Sequence, residues 1–201
     1  MSRIEAVLRR AARDLESLGR RWALIGGLAV SARTEPRFTR DVDVVIQVSD
    51  DADAEGLVRR LHVQGYRILG IVEQDAAARM ATARLALGRE DEGTALLDLL
   101  FASSGIEAEV VAGADVLEVL PGLRVPVATV GHLIALKVLA RDDRTRPQDR
   151  ADLVALARAA TPEDMAHARG AIRLIQTRGY HRQRDLDAEL DRLLLDLTGS
   201  A

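Results

Sequence analysis

The sequence predicts an α+β protein: a mixed β-sheet core with flanking helices over residues 1–128, followed by a C-terminal helical bundle over residues 129–201. Three observations carry that expectation. Short apolar runs at residues 22–25, 41–48, 79–87, 94–102 and 117–127 alternate with segments of helical periodicity. From Thr129 onward the strand pattern stops, and only helical patterns follow. Hydrophobic residues make up 48% of the 201 while aromatics make up 2%, so a sizeable core is available and Leu, Val, Ile and Ala must fill it.

Taken in order, residues 3–18 place Ile4, Val7, Leu8, Ala11, Ala12, Leu15 and Leu18 at helical spacing, and Gly19 supplies the stop. The run 22–25 reads as a strand. Gly26-Gly27 turns the chain into a short helix around residues 28–32, which Pro36 ends. Residues 41–48 read as a strand, and Ser49-Asp50-Asp51 as the cap of a helix that reaches about His62 and closes at Gly65. The runs 79–87 and 94–102 flank a linker with glycine at both ends, Gly88 and Gly93, which predicts a β-hairpin. Pro121-Gly122 and Val125-Pro126-Val127 predict a further turn and an edge strand. Leu133, Leu136, Lys137, Val138 and Ala140 then read as one helix, and residues 149–159, 162–176 and 184–197 as three more.

Composition excludes several classes. Scarce aromatics argue against a base-stacking module, and a net charge of −3 gives no general basic field for nucleic acid, so any RNA contact needs a local patch. The absence of cysteine rules out disulfides and thiolate zinc sites. Residues 1–16 are arginine-rich and amphipathic without the apolar core of a signal peptide. No run reaches the ~18 apolar residues of a membrane span, so the expectation is a soluble cytoplasmic protein.

The chemistry-bearing stretch joins Gly26-Gly27 to Arg37-Phe38-Thr39-Arg40-Asp41-Val42-Asp43. Asp41 and Asp43 are two apart on a strand, so their carboxylates share a face, roughly 6–7 Å apart at Cα. Like charges so placed repel unless a cation lies between them, and oxygen ligands suit Mg²⁺ or Mn²⁺. The glycines bring backbone N–H groups close to a phosphate where a helix starts. Asp98 is the only charge in Ala95-Leu96-Leu97-Asp98-Leu99-Leu100-Phe101 and needs a partner; a metal shared with Asp41 and Asp43 would supply one. Alone, an Asp-x-Asp is most often a solvated face, a Gly-Gly a turn, and a lone strand Asp as often structural as functional. Their order in one chain is far more specific, and it suggests a metal–nucleoside triphosphate site.

With Leu133-Ile134-Ala135-Leu136-Lys137 and Arg144-x-Arg146-Pro147-Gln148-Asp149-Arg150-Ala151-Asp152-Leu153, these motifs resemble the DNA polymerase β-like nucleotidyltransferase superfamily, and within it the AbiEii-type toxin nucleotidyltransferases, over roughly residues 20–160. The resemblance implies a mixed sheet with a helical C-terminal part, transferring a nucleoside monophosphate from an NTP to a hydroxyl of a tRNA 3′ end or a protein. It implies that Gly26 and Gly27 sit under the triphosphate, that Thr39 and Arg37 hold a phosphate, and that Asp41, Asp43 and Asp98 bind Mg²⁺ (or Mn²⁺). Asp98 would also deprotonate the acceptor, Lys137 would contact the triphosphate and Asp149 would orient it. A cognate antitoxin and a toxin role follow from the resemblance alone. Taken by itself, a helix lysine is usually solvated, but Leu136, Val138 and Leu139 around Lys137 are apolar. The charge run through Asp142, Asp143, Arg144 and Arg146 reads by itself as a solvated loop. The histidines at 62, 132, 167 and 181 make no metal-ligand pattern. Two rival readings are a glycosyltransferase whose Asp-x-Asp holds a metal–nucleotide-sugar, against which Gly26-Gly27 and Asp98 argue, and a non-catalytic antitoxin or binding module on the same fold, which would normally have lost a carboxylate.

Overall fold

Helix α1 (Arg3–Ser17) starts where the Ser2 hydroxyl accepts the Glu5 N–H at 3.2 Å, and its apolar stripe of Val7, Leu8, Ala11 and Leu15 is buried. Its chain enters the sheet after Gly19, whose φ of +64° suits a residue without Cβ. The structure, a computed structural model, describes residues 2–74, 79–87, 95–142 and 147–198.

Strand β1 (Trp22–Ile25) is buried at all four positions and leads directly into α2 (Gly26–Arg33). Strand β2 (Asp41–Ile46) is followed by α3 (Asp51–Val63), whose N-cap Asp50 accepts the Asp53 N–H at 2.8 Å. Strands β3 (Arg67–Gln74), β4 (Arg79–Ala86) and β5 (Leu96–Leu100) come next, then α4 (Glu107–Ala112) and the antiparallel pair β6 (Asp115–Leu120) and β7 (Leu123–Val127). The seven strands form one mixed sheet in the order β3-β4-β5-β2-β1-β7-β6. Strand β2 runs antiparallel to β1 and parallel to β5, and β1 runs parallel to β7. Thus β6 is an edge strand, and β4 and β5 are antiparallel neighbours as the sequence suggests, while their linker at 88–93 lies outside the described residues.

Two elements carry no signal in the sequence reading. Strand β3, Arg-Ile-Leu-Gly-Ile-Val-Glu-Gln, is exposed on both faces over 68–73 and so lacks apolar alternation. Helix α4 has only six residues and is held by a buried carboxylate: Glu107 Oε1 accepts the N–H groups of Ser103 and Ser104 at 2.8 and 2.7 Å.

Four helices follow the sheet: α5 (Val130–Ala140), α6 (Pro147–Ala159), α7 (Pro162–Thr177) and α8 (Leu186–Thr198). Thr129 caps α5, and a reciprocal Thr161–Asp164 capping box starts α7. Helix α5 is apolar nearly all round and correspondingly buried at Leu133, Ile134, Val138 and Leu139. One buried cluster joins Leu8 of α1, Val44 of β2, Ile134 of α5 and Ile172 of α7. Among the described residues, no helix is long and apolar enough to cross a membrane.

Candidate active site

The sheet register lines up the site. Ile25 at the end of β1 pairs with Asp43 of β2, Asp43 pairs with Asp98 of β5, and Asp98 pairs with Arg84 of β4. Neighbouring strands lie about 4.8 Å apart, so the two carboxylates and the guanidinium form a short row on one sheet face. Asp41 lies two residues before Asp43 on that face, while Val42 and Val44 are buried on the other. The three aspartates picked out in the sequence are therefore brought together.

The glycines close one end of the row. Gly26 has φ +64°, and a Cβ built on it would stand 1.9 Å from Asp43 Oδ2. A Cβ on Gly27 would stand 2.7 Å from Arg37 Nη2 and 2.8 Å from Thr39 Oγ1. Only glycine lets Asp43, Arg37 and Thr39 crowd against the start of α2. Among the described residues that helix has no side-chain cap, so its first-turn N–H groups and the positive end of its dipole stand beside the carboxylate.

The electrostatics follow from the row. Burial, then the charges of Asp98 and Asp41, push the Asp43 carboxyl up to about 7, with Lys137 and Arg84 opposing. Asp41 is raised too, chiefly by burial and then by Asp98. The sequence left Asp98 in need of a partner and offered a shared metal; the protein supplies a guanidinium. Arg84 Nε donates to Asp98 Oδ1 at 2.8 Å and Nη2 donates to Oδ2 at 2.6 Å, a bidentate pair. Arg84 lies within the 79–87 run and escapes notice there, because only the hairpin register sets it opposite Asp98. Its side chain is about half exposed, whereas Asp98 is buried.

A hard divalent cation fits these donors by chemistry: all are carboxylate oxygens, and Asp43 is held at a raised pKa that a cation would lower. With Asp98 engaged by Arg84, no closed cage of three metal-ligating side chains exists among the described residues. Asp41 and Asp43 form no side-chain hydrogen bond among them and are the donors at hand. Mg²⁺ is commonly held by one or two carboxylates together with substrate phosphates.

A second cluster ties the C-terminal helices to the glycine wall. Lys137 Nζ of α5 donates to Asp149 Oδ1 at 2.7 Å and lies 2.7 Å from Asp152 Oδ2, both on α6. Asp152 also accepts Arg37 Nη2 at 2.6 Å, with Arg37 Nε 2.5 Å from its other oxygen. Lys137 thus lies on the site side of its helix and acts on Asp43 through space, but its direct partners are the α6 acids. Asp152 is buried, and the signal in the sequence for its part in this cluster is its spacing of three from Asp149 on a helix. Asp149 Oδ2 is buried and has no hydrogen-bond partner among the described residues. Arg144 and Arg146 lie outside the described residues.

Two of the four histidines, scattered in the sequence, meet in space. The His132 and His167 rings stand edge to face at 4.2 Å, and both Nδ1 atoms lie within 3.5 Å of Thr129 Oγ1. Burial and the neighbouring imidazole lower His132 to about 4, which keeps it neutral.

This sheet, with paired carboxylates beside a glycine-started helix, is the fold of the nucleotidyltransferase-like proteins. An antigenic nucleotidyltransferase-like protein from Paracoccidioides brasiliensis matches with a TM-score of 0.57, covering 94% of this chain and 92% of its own, at 18% identity. ANT(2″)-Ia in complex with adenylyl-2″-tobramycin matches with a TM-score of 0.56, covering 84% and 95%, at 19% identity. At such identities the likeness is one of fold. The chain belongs to the nucleotidyl transferase AbiEii toxin family of type IV toxin–antitoxin systems, whose family model matches residues 7–198. No curated protein sequence matches it.

Proposed function

We propose that this nucleotidyltransferase moves a nucleoside monophosphate from an NTP to a hydroxyl of a tRNA 3′ end or a protein side chain, that it requires Mg²⁺ or Mn²⁺, and that it acts in the cytoplasm as the toxin of a toxin–antitoxin pair. The observation that carries this reading is the Asp43–Asp98 register pair against Gly26, with Asp43 pushed up to about 7. In this reading residues 1–128 contribute the carboxylates and glycines, and residues 129–201 contribute Lys137 and Asp149. A metal held by Asp41 and Asp43, with Asp98 as third carboxylate, would neutralise charge on the triphosphate. The Gly26 and Gly27 backbone approaches the phosphates closely, and Thr39 donates to a phosphate oxygen. Arg37 and Lys137, fixed by Asp152 and Asp149, present positive charge to the same group. Once Arg84 swings out, the Asp98 carboxylate takes the proton of the acceptor hydroxyl. The acceptor oxygen then bonds to the α-phosphorus, and pyrophosphate leaves. Positioning and charge neutralisation supply most of the rate.

Calorimetry with Mn²⁺–NTP tests the reading. The wild type should bind, and Asp41→Asn and Asp43→Asn should each weaken binding at least ~10-fold, the loss of one charged ligand contact. Unchanged affinity in both variants overturns the assignment.

A further inference from the structure

Arg84 is the exposed position of β4, a strand otherwise buried or half-buried along its length. Its guanidinium fork takes both oxygens of Asp98, at 2.8 and 2.6 Å. The pair lies at the end of the row away from the glycines, because the register runs Ile25, Asp43, Asp98, Arg84 from β1 to β4. Its two members differ in exposure. The Asp98 side chain is 10% exposed and the Arg84 side chain 48%. The carboxylate is thus a short, buried part of the site, and the cation reaches it on a long side chain from a half-exposed position.

Charge explains why an arginine stands there. Asp41, Asp43 and Asp98 crowd three carboxylates into one short stretch of sheet. The hydrogen bond to Asp98, then the charges of Asp98, Asp41 and Asp43, raise Arg84 above the ordinary arginine range, with burial opposing. Burial and neighbouring carboxylates raise Asp41 and Asp43, and Arg84 opposes both shifts. Arg84 therefore serves all three acids while its hydrogen bonds go to one of them. A divalent cation on the row would neutralise the same carboxylates. A guanidinium on both oxygens of Asp98 and a dication on that carboxylate would repel each other at close range, so the two cations are alternatives there.

We propose that Arg84 is a positioning residue that competes with the metal for Asp98, leaving only Asp41 and Asp43 to hold the metal while the Arg84–Asp98 pair is closed. The inference rests on the metal-dependent reading above and adds an order of events to it. Asp98 joins the row as third ligand, and becomes able to take the acceptor proton, only after Arg84 releases it. Arg84 so keeps the proton-accepting carboxylate engaged while the site is empty, and it weakens the binding of metal alone.

The test titrates the full chain with Mn²⁺ in the absence of nucleotide, by calorimetry and by the paramagnetic resonance signal of the free ion. Arg84→Met should bind Mn²⁺ at least ~10-fold more tightly than wild type, a factor within the range of coupling between residues in contact. Arg84→Lys keeps the charge and loses the fork, so its affinity should fall between the two. An Asp98→Asn background decides the cause. A merely nearby positive charge would weaken Mn²⁺ binding there as well, whereas competition for the carboxylate predicts that the gain from Arg84→Met largely disappears. Thermal unfolding gives an independent readout: saturating Mn²⁺ should raise the Tm of Arg84→Met by more than that of wild type. Melting curves in chelator confirm that each variant folds. Arg84→Met binding no more tightly than wild type, or a gain that persists in full without the Asp98 carboxylate, would overturn the proposal. Asp41→Asn separates it from the reading on which it rests. Mn²⁺ binding that needs Asp41 but ignores Arg84 overturns this inference alone, and binding that ignores Asp41 overturns both.

Discussion

Replacing Asp43 by asparagine should stabilise the metal-free protein at alkaline pH, a result opposite to the usual cost of altering a buried site. The Asp43 carboxyl is raised from an ordinary 3.8 to about 7. Between those values the native state holds a proton that the unfolded chain has released, so wild-type stability falls as pH rises through that window. About three pH units correspond to a ceiling of about 4 kcal/mol. Asp43 retains some contact with solvent, and screening reduces the effect to about 1–2 kcal/mol. Asparagine keeps the shape and carries no charge. The difference in stability, variant minus wild type, should therefore be near zero at pH 4, grow through pH 5–7 and level off above pH 8. There it should appear as a Tm higher by roughly 2–8 °C for a chain of this size. The assay is thermal unfolding in chelator across that range, with the difference curve removing contributions from other groups. Added Mn²⁺ should then raise the wild-type Tm at pH 8 and leave the variant nearly unmoved, because only a ligand that binds the native state stabilises it. A difference curve that is flat, or that slopes the other way, would refute the electrostatic reasoning.

Other outcomes follow from the same geometry. Gly26→Ala forces a side chain into a left-handed φ and onto Asp43; it should cost at least about 1–2 kcal/mol in thermal unfolding, and a wild-type Tm would contradict the close approach. Arg84→Met leaves the buried Asp98 uncompensated and should cost about 1–3 kcal/mol, while Arg84→Met combined with Asp98→Asn should recover most of it in a double-mutant cycle. Asp98→Asn alone should lower nucleotide transfer at least ~100-fold; a variant that melts early yet keeps its activity would make Asp98 structural. Lys137→Ala should weaken NTP use and also cost about 3 kcal/mol, because it strands the buried Asp149 and leaves Asp152 to Arg37 alone; Lys137→Arg should rescue stability more than NTP use.

The layered plan was legible in the sequence because it rests on local signals. Glycines end α1 and start α2, an Asp caps α3, a continuous apolar run marks α5, and helical spacing of apolar residues marks α7 and α8. The convergence of Asp41, Asp43 and Asp98 was legible as a condition: it required β5 to lie beside β2, and the register Asp43–Asp98 satisfies it. What escaped depends on residues distant in the chain. The partner of Asp98 is Arg84, fixed by hairpin register, and the partner of Arg37 is Asp152, some 115 residues away. Strand β3 escaped for another reason: a strand exposed on both faces has no alternation to read.

Nucleotide transfer at this site can be measured by incubating the purified protein with each α-labelled NTP, Mg²⁺, and either tRNA or total protein, then following label carried onto the macromolecule. Wild type should label one of the two acceptors and release pyrophosphate. Asp43→Asn, folded and at least as stable as wild type at pH 8, should leave both acceptors unlabelled. Equal labelling by the wild type and by Asp43→Asn would rule out nucleotide transfer at the Asp41–Asp43–Asp98 site.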